Sequence, residues 1–216
     1  MMRRLATVLI AAGALLLADG AATLLWQEPV SSLYARLQQG RLDDQLAALE
    51  KAGPTPAERR VLARLPDRRQ RLGFAARAAA RRARDGHAVG RLRADAIGLD
   101  AVIVEGTGTG DLRKGPGHYP DTPLPGARGT VAVAGHRTTY GAPFRHVDEL
   151  DPGDRIELRM PYGRFTYRVE RTRIVPPTAT WVTHRVAYDR LVLTACHPLY
   201  SAAQRIVVFA RLERAG

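Results

Sequence analysis

The chain has 216 residues, of which 45% are hydrophobic and 25% charged, a composition that excludes a disordered protein and suits one compact domain with additional segments. The formal net charge is +12, and most of the basic excess lies in the middle of the chain. Residues 35–93 include 15 basic and 6 acidic residues, whereas residues 94–216 include 16 basic and 13 acidic residues. Nucleic acid is not expected as a partner, because no nucleic-acid-binding module accompanies this charge. The single cysteine excludes an internal disulfide, so the fold depends on packing.

The first predicted segment, residues 1–26, has the pattern of a membrane anchor. Two arginines precede an apolar run from Leu5 to Trp26, interrupted at Asp19, and its 22 residues match the roughly 20 that span a bilayer. We therefore expect a single-pass helix in the cell membrane, with a cytoplasmic N-terminus and an extracellular catalytic domain. A cleaved signal peptide is the alternative, because small residues follow the apolar core at 20–22.

The second segment, residues 27–94, is predicted to be a helical, basic stalk or linker. Leucines recur at helical spacing between Ser31 and Gly53, and Asp67–Arg84 is rich in alanine and arginine. Between them, Thr55-Pro56-Ala57-Glu58 has the form of a capping box with proline in the first helical turn. The basic excess would attract anionic headgroups or acidic wall polymers, and a solvated helix surface explains it equally well.

The third segment, residues 95–216, contains short strand-like runs separated by loops rich in glycine and proline. Some runs alternate between apolar and polar residues and others are continuously apolar. They are Ala101–Val104, Thr130–Ala134, Arg155–Met160, Phe165–Ile174, Leu191–Ala195 and Arg205–Leu212. Six or more strands in about 120 residues predict an all-β domain, either a small closed barrel or a sandwich.

Three chemically useful side chains lie at the ends of these runs. Cys196 ends one strand, because Pro198 cannot extend it, and His136 follows another after a single glycine. Arg205 opens the last strand. A thiol becomes a nucleophile as thiolate, a histidine moves its proton, and an arginine stabilises a developing oxyanion or holds substrate. Six histidines make the Cys/His pairing unspecific by itself, and a lone cysteine can also be a small core residue.

Longer motifs add specificity. Two stretches resemble the sortases of Gram-positive bacteria, most of all the class E sortases of actinobacteria. They are Thr130–Phe144, with Ala-Gly-His-Arg around His136, and Leu193–Pro198, which is followed by Arg205. The resemblance runs from about Ile97 to Leu212. It implies a closed eight-stranded β-barrel with short helices and a cysteine transpeptidase. By position, the roles of nucleophile, proton-transfer partner and substrate-holding cation fall on Cys196, His136 and Arg205.

The resemblance also implies a substrate and its partners. Sortases cleave a C-terminal sorting signal of exported proteins between Thr and Gly through a thioacyl-enzyme. They pass the protein to an amine, such as a peptidoglycan precursor or a pilin lysine, and need no cofactor. Class resemblance favours Leu-Ala-x-Thr-Gly over Leu-Pro-x-Thr-Gly. No metal site is expected, because Arg171–Arg190 holds a single acidic residue and the histidines lack ligand spacing.

Four further residues are candidates for substrate contact: Tyr140, Thr194, Ala195 and His118. Ala195 departs from the family pattern, in which threonine usually precedes the cysteine, and removes a hydroxyl beside the nucleophile. For Tyr140 and His118, packing or an ordinary loop role is the competing interpretation. His197 is expected to point away from the thiol, because neighbouring strand residues face opposite sides.

Two other functions remain open at this point. An L,D-transpeptidase is disfavoured, because its Ser-His-Gly-Cys type block is absent. A non-catalytic, membrane-anchored β-barrel that binds cell-envelope polymers through the basic segment is the alternative from another class. Alkylation of Cys196 would be harmless to such a binder and would inactivate a transpeptidase.

Overall fold

The computed structural model describes residues 2–26 and 29–216, without the side chains of residues 19, 21–26, 29 and 30. Eight strands form its centre: β1 (Ala88–Ala94), β2 (Leu99–Glu105), β3 (Gly117–His118), β4 (Thr130–Ala134), β5 (Arg155–Met160), β6 (Gly163–Val175), β7 (Arg190–His197) and β8 (Gln204–Ala215). They close into one barrel in the order β1-β2-β3-β4-β7-β8-β6-β5. The predicted all-β class and closed eight-stranded barrel are therefore confirmed.

The described helices are α1 (Met2–Trp26), α2 (Pro29–Ala52), α3 (Pro56–Arg64), α4 (Arg68–Ala80) and α5 (Thr109–Leu112), with 3₁₀ helices at Asp95–Ile97, Val147–Glu149 and Thr180–Thr183. The capping box predicted at the start of α3 is present. Thr55 Oγ1 accepts a hydrogen bond from the Glu58 amide at 3.2 Å, and Glu58 Oε2 accepts one from the Thr55 amide at 2.9 Å. Asp67 caps α4 by accepting from the Gln70 amide.

Alternate strand residues face the barrel interior, as the two-residue period of a strand requires. On β7, Leu191, Leu193 and Ala195 belong to the central core, whereas Val192 belongs to a second cluster on the outer face. We call this second group the outer apolar cluster; its members are Ala132, Val175, Ala179, Val182, Val192, Val207 and Phe209. It covers the outside of β4, β7 and β8, on the side of the 3₁₀ helix Thr180–Thr183.

Helix α2 packs on the outside of the barrel, against β1 and β2. Leu42 and Leu46 are buried against these strands. Gln39 accepts from the Val102 amide at 2.7 Å and donates to the carbonyls of Val102 and Lys114 at 3.1 and 2.8 Å. The predicted helices of the basic segment are therefore present, and this one is attached to the barrel by both apolar and backbone-directed contacts.

The barrel begins before residue 95. Strand β1 lies within the range 27–94 that the sequence assigned to the stalk, and it pairs with β2 on one side and β5 on the other. Helix α4 also joins the barrel, since Leu72 and Ala76 belong to the central core. The family-like range from Ile97 thus starts one strand after the barrel does.

The predicted membrane anchor needs correction. Within the described ranges, no helix is both long and apolar enough to cross a bilayer. The predicted span depended on the full length of the apolar run Leu5–Trp26 on both sides of Asp19. The side chains of Asp19 and residues 21–26 lie outside those that the structure describes. The expected single-pass location in the cell membrane is therefore not supported.

Candidate active site

Strand register brings His136 beside Cys196. Strands β4 and β7 are parallel, with Ala134 opposite Thr194, and the Gly135 amide donates to the Thr194 carbonyl at 3.0 Å. His136 and Cys196 each lie two residues beyond that matched pair. Because side chains alternate in direction along a strand, Cys196 extends the outward-facing row of β7, and His136 lies in the loop just past the neighbouring end of β4.

Register also brings Arg205 to the nucleophile from the other side. Strands β7 and β8 are antiparallel, and Cys196 lies directly opposite Arg205. The Arg205 guanidinium donates from Nη1 to the carbonyls of Ala202 and Gln204, both at 2.9 Å, which holds it at the mouth of the β7–β8 loop. The three residues predicted to carry the chemistry therefore occupy three adjacent strand ends on one face.

The surroundings of His136 disfavour its charged form and leave one ring nitrogen unpaired. Burial, followed by the nearby positive charge of Arg113, lowers the pKa of His136 below its ordinary value. The Nε2 atom is buried and has no hydrogen-bond partner among the described residues. A buried polar atom without a partner is costly, so an unpaired imidazole nitrogen beside a thiol is a site prepared for a proton or a substrate group.

A close backbone approach explains the glycine before this histidine. A Cβ atom at Gly135 would lie 2.6 Å from the Phe144 ring, which no ordinary contact allows. Phe144 is fully buried, and its amide donates to the His136 carbonyl at 2.9 Å. The Ala-Gly-His sequence therefore lets the loop after β4 fold tightly over Phe144 and fixes the backbone at His136.

The nucleophile candidate Cys196 is partly exposed and is not in a disulfide. Its neighbour His197 takes a different partner: its Nδ1 lies 3.4 Å from Arg137 Nη1. The expectation that His197 faces away from the thiol is in keeping with this contact.

The structure adds Arg137, which the sequence interpretation passed over as part of a motif. Its side chain is 2% exposed, donates to the Arg145 carbonyl at 3.1 and 3.3 Å, and forms an ion pair with Asp148 at 2.6 Å. It therefore joins the two ends of the loop that carries His136. Its place directly after the histidine in the Ala-Gly-His-Arg motif was the available signal, but its partners lie 8 and 11 residues further along the chain.

Of the predicted substrate-contact residues, Tyr140 lies near His136 and Thr194 near Cys196. The Tyr140 ring centroid is 5.4 Å from that of His136, with the planes tilted by 39°. Thr194 precedes Cys196 by two residues on the same face, and its Oγ1 is 2.9 Å from the Tyr119 hydroxyl. Tyr119, which also packs on the outer apolar cluster, was not singled out from the sequence.

The structure does not bring Ala195 and His118 to this group. Ala195 is 4% exposed and points into the central core, on the face opposite the thiol. His118 is 2% exposed, with Nδ1 2.9 Å from Glu105 Oε2 and Nε2 3.1 Å from Thr122 Oγ1. These contacts occupy both ring nitrogens of His118 inside the structure. In the part of the chain that the structure describes, no three metal-ligating side chains cluster.

Comparison with known proteins agrees with this geometry. The sortase domain family model matches residues 92–213, more than half of the chain. Sortase D of Bacillus subtilis is 37% identical over 130 residues, covering 58% of this chain and 64% of that protein. Sortase SrtE1 of Streptomyces coelicolor is 27% identical over 110 residues, covering 44% and 31%. The chain thus spans less than two thirds of the length of these relatives.

Solved structures match over a larger share of their length. Sortase E from Streptomyces avermitilis is 32% identical, with a TM-score of 0.56, and the match covers 62% of this chain and 92% of that one. The SrtA sortase from Actinomyces oris is 28% identical, with a TM-score of 0.57 and coverages of 62% and 83%. Relatives of both the D and the E type therefore match. With its closed barrel and its family match over residues 92–213, this chain belongs to the sortase family.

Proposed function

We propose that this chain is a cysteine transpeptidase in which Cys196 is the nucleophile, His136 the proton-transfer group and Arg205 the substrate-holding cation. One observation carries the proposal: strand register places a histidine and an arginine on opposite sides of the single thiol, on one face of the barrel. The membership of the chain in the sortase family supports the same assignment. The described geometry offers no comparable support for the polymer-binding alternative.

The reaction divides into two acyl transfers. His136 takes the proton of the Cys196 thiol, and the thiolate attacks the carbonyl carbon of the scissile Thr–Gly bond. The C–N bond breaks as the His136 imidazolium gives that proton to the departing amine. This leaves a thioester on Cys196. An acceptor amine then attacks the thioester, loses a proton to His136, and expels the thiolate with a new amide bond in place.

Arg205 is suited to the charge that these steps develop. A guanidinium stays protonated at any working pH, and a fixed donor stabilises an oxyanion without reorganising. Its hydrogen bonds to the Ala202 and Gln204 carbonyls use Nη1, which leaves its other N–H groups as donors for substrate. Tyr119, which is half-buried and lies beside Thr194, offers an adjoining contact for the peptide.

The proposed donors are exported proteins with a C-terminal Leu-Ala-x-Thr-Gly or Leu-Pro-x-Thr-Gly type signal, and the proposed acceptor is an amine of the cell wall or of a pilin. The matches to sortases of the D and E types support this substrate class. We also propose that the catalytic unit is residues 88–216, because β1 closes the barrel, instead of 95–216.

The test is turnover of fluorogenic peptides carrying each signal by the full chain, with and without an added amine. We expect cleavage after Thr, and in the presence of the amine a ligated product that replaces the hydrolysed one. Cleavage that ignores the amine would indicate a hydrolase, and no turnover of either peptide by folded protein would contradict the proposal.

A further inference from the structure

The first turns of α2 contact the loop that follows His136. The Tyr140 amide donates to Ser31 Oγ at 3.1 Å. The rings of Tyr34 and Tyr140 meet edge to face, with centroids 6.3 Å apart and planes at 72°. Ala35 is 5% exposed and lies so close that a Cβ atom at Gly141 would be 3.4 Å from its own Cβ. Three α2 residues thus cover this loop.

The loop needs support from outside, because its backbone is strained. Tyr140, Gly141 and Ala142 have φ angles of 52°, 74° and 43°, so two non-glycine residues occupy the left-handed region. Such conformations persist where surrounding contacts determine them, and they occur frequently at functional sites. The contacts from α2 are of this kind.

Tyr140 connects the contacts from α2 to the His136 imidazole. Its ring lies against His136, with 5.4 Å between centroids, and the Arg113 guanidinium lies 5.6 Å from the Tyr140 ring centroid. The ring therefore covers a histidine whose Nε2 is already buried and unpaired within the described structure. Any movement of Tyr140 would change both the direction of the imidazole and its access to water.

Helix α2 is attached to the barrel independently of its contact with Tyr140. Its attachment to the barrel through Gln39, Leu42 and Leu46 lies further along the helix and does not involve Ser31 or Tyr34. A substitution at Tyr34 therefore removes the contact with Tyr140 while the helix stays docked.

We propose that Ser31 and Tyr34 are positioning residues of the active site, which hold Tyr140 over His136 so that the imidazole stays oriented and shielded from water. The inference rests on the proposed function for its catalytic consequence. It makes the helix before the barrel a part of the catalytic apparatus, in addition to the three strand ends.

The direction of the expected pH effect follows from the groups that face His136. These are Arg113 from the α5 connection and Tyr140 from its own loop, with Tyr34 behind Tyr140. Burial is the first cause of the lowered His136 pKa. Loosening Tyr140 admits water, favours the charged imidazolium, and so raises that pKa toward its ordinary value of about 6.5.

The test compares full-length Tyr34→Ala, Tyr34→Phe and Leu37→Ala. Leu37 lies one turn further along α2 and is 61% exposed, so its variant is the matched control. We expect Tyr34→Ala to lower kcat about tenfold with little change in KM, since a misdirected catalytic group affects the reaction more than binding. Tyr34→Phe keeps the ring contact and should behave as the unmodified chain, as should Leu37→Ala.

A histidine NMR titration of the same proteins gives a readout that does not need turnover. We expect the His136 pKa to rise in Tyr34→Ala and to stay unchanged in Tyr34→Phe. An unchanged pKa and kcat in Tyr34→Ala would overturn the proposal, and so would equal losses in Tyr34→Phe. If no variant turns over peptide but the pKa still rises in Tyr34→Ala, the positioning stands and the proposed function fails.

Discussion

At the scale of single residues, the candidate site depends on how the motion and hydration of each side chain are restricted. His136 is buried without a partner for Nε2 in the described structure, and Arg205 is tied to two loop carbonyls. A free imidazole would be hydrated and a free guanidinium would sample many rotamers. Their confinement limits the motion of both groups at the strand ends next to Cys196.

The shape of the Arg205 side chain matters as much as its charge. In Arg205→Lys the charge remains, but a single ammonium cannot bond the two loop carbonyls and donate to substrate with the same geometry. We expect kcat/KM to fall about 100-fold in Arg205→Lys, comparable to removal of an oxyanion donor. Peptide-cleavage kinetics measure this, with Gln204→Ala as control because it leaves the accepting carbonyl in place. Near-normal activity of the lysine variant would exclude a directional role for the guanidinium.

At the scale of elements, the strands with strong patterns could be predicted from sequence, and those without could not. The continuous run Thr130–Ala134 and the alternating run Arg155–Met160 match β4 and β5. Strand β3 has only two residues and no periodicity to detect. In β1, Arg91 and Arg93 flank the buried Leu92, a run too short and too basic to stand out from the basic segment before it.

Ala195 and His118 lie away from the candidate group for two different physical reasons. The alternation that was applied to His197 also sends Ala195 into the core, so its position could have been predicted. His118 could not, because its burial depends on Glu105, which lies 13 residues earlier and on a different strand. Tyr119 depends likewise on Thr194, 75 residues away. Such pairings follow from topology, which local patterns do not show.

The loop after β4 gives a prediction at this scale. Arg137→Met keeps much of the side-chain volume but leaves the Arg145 carbonyl and Asp148 without their donor. We expect the free energy of unfolding to fall by about 1–3 kcal/mol, the loss when a buried hydrogen-bonding group loses its partner. Asp148 is 42% exposed, so its share is reduced by solvent screening.

Urea denaturation measures this change, and the rate of Cys196 alkylation reports on the loop. Arg145→Met is the control, since Arg145 accepts through its backbone carbonyl, which the substitution keeps, and its half-buried side chain bonds the exposed Tyr200. If both variants lose the same stability, the buried guanidinium is not what holds the loop together.

At the scale of the whole molecule, the helices and the barrel form one connected structure around the site. Helix α2 lies on β1 and β2 and reaches the His136 loop with its first turns, while α4 contributes Leu72 to the core. The basic helices α3 and α4 carry exposed arginines. The sequence did not show that these segments pack on the barrel, because packing partners far apart in the chain leave no local pattern.

All of these features have functional meaning only if Cys196 forms the acyl-enzyme. The most direct measurement is the intact mass of the full chain, quenched with acid after brief incubation with a sorting-signal peptide, in parallel with Cys196→Ala. We predict a mass increase equal to the acyl group that ends in threonine, which is the mass of the free fragment acid less one water. The added mass should be located on Cys196 and absent from the variant. A chain that cleaves the peptide without this adduct, or an adduct that persists in Cys196→Ala, would contradict the assignment of the nucleophile.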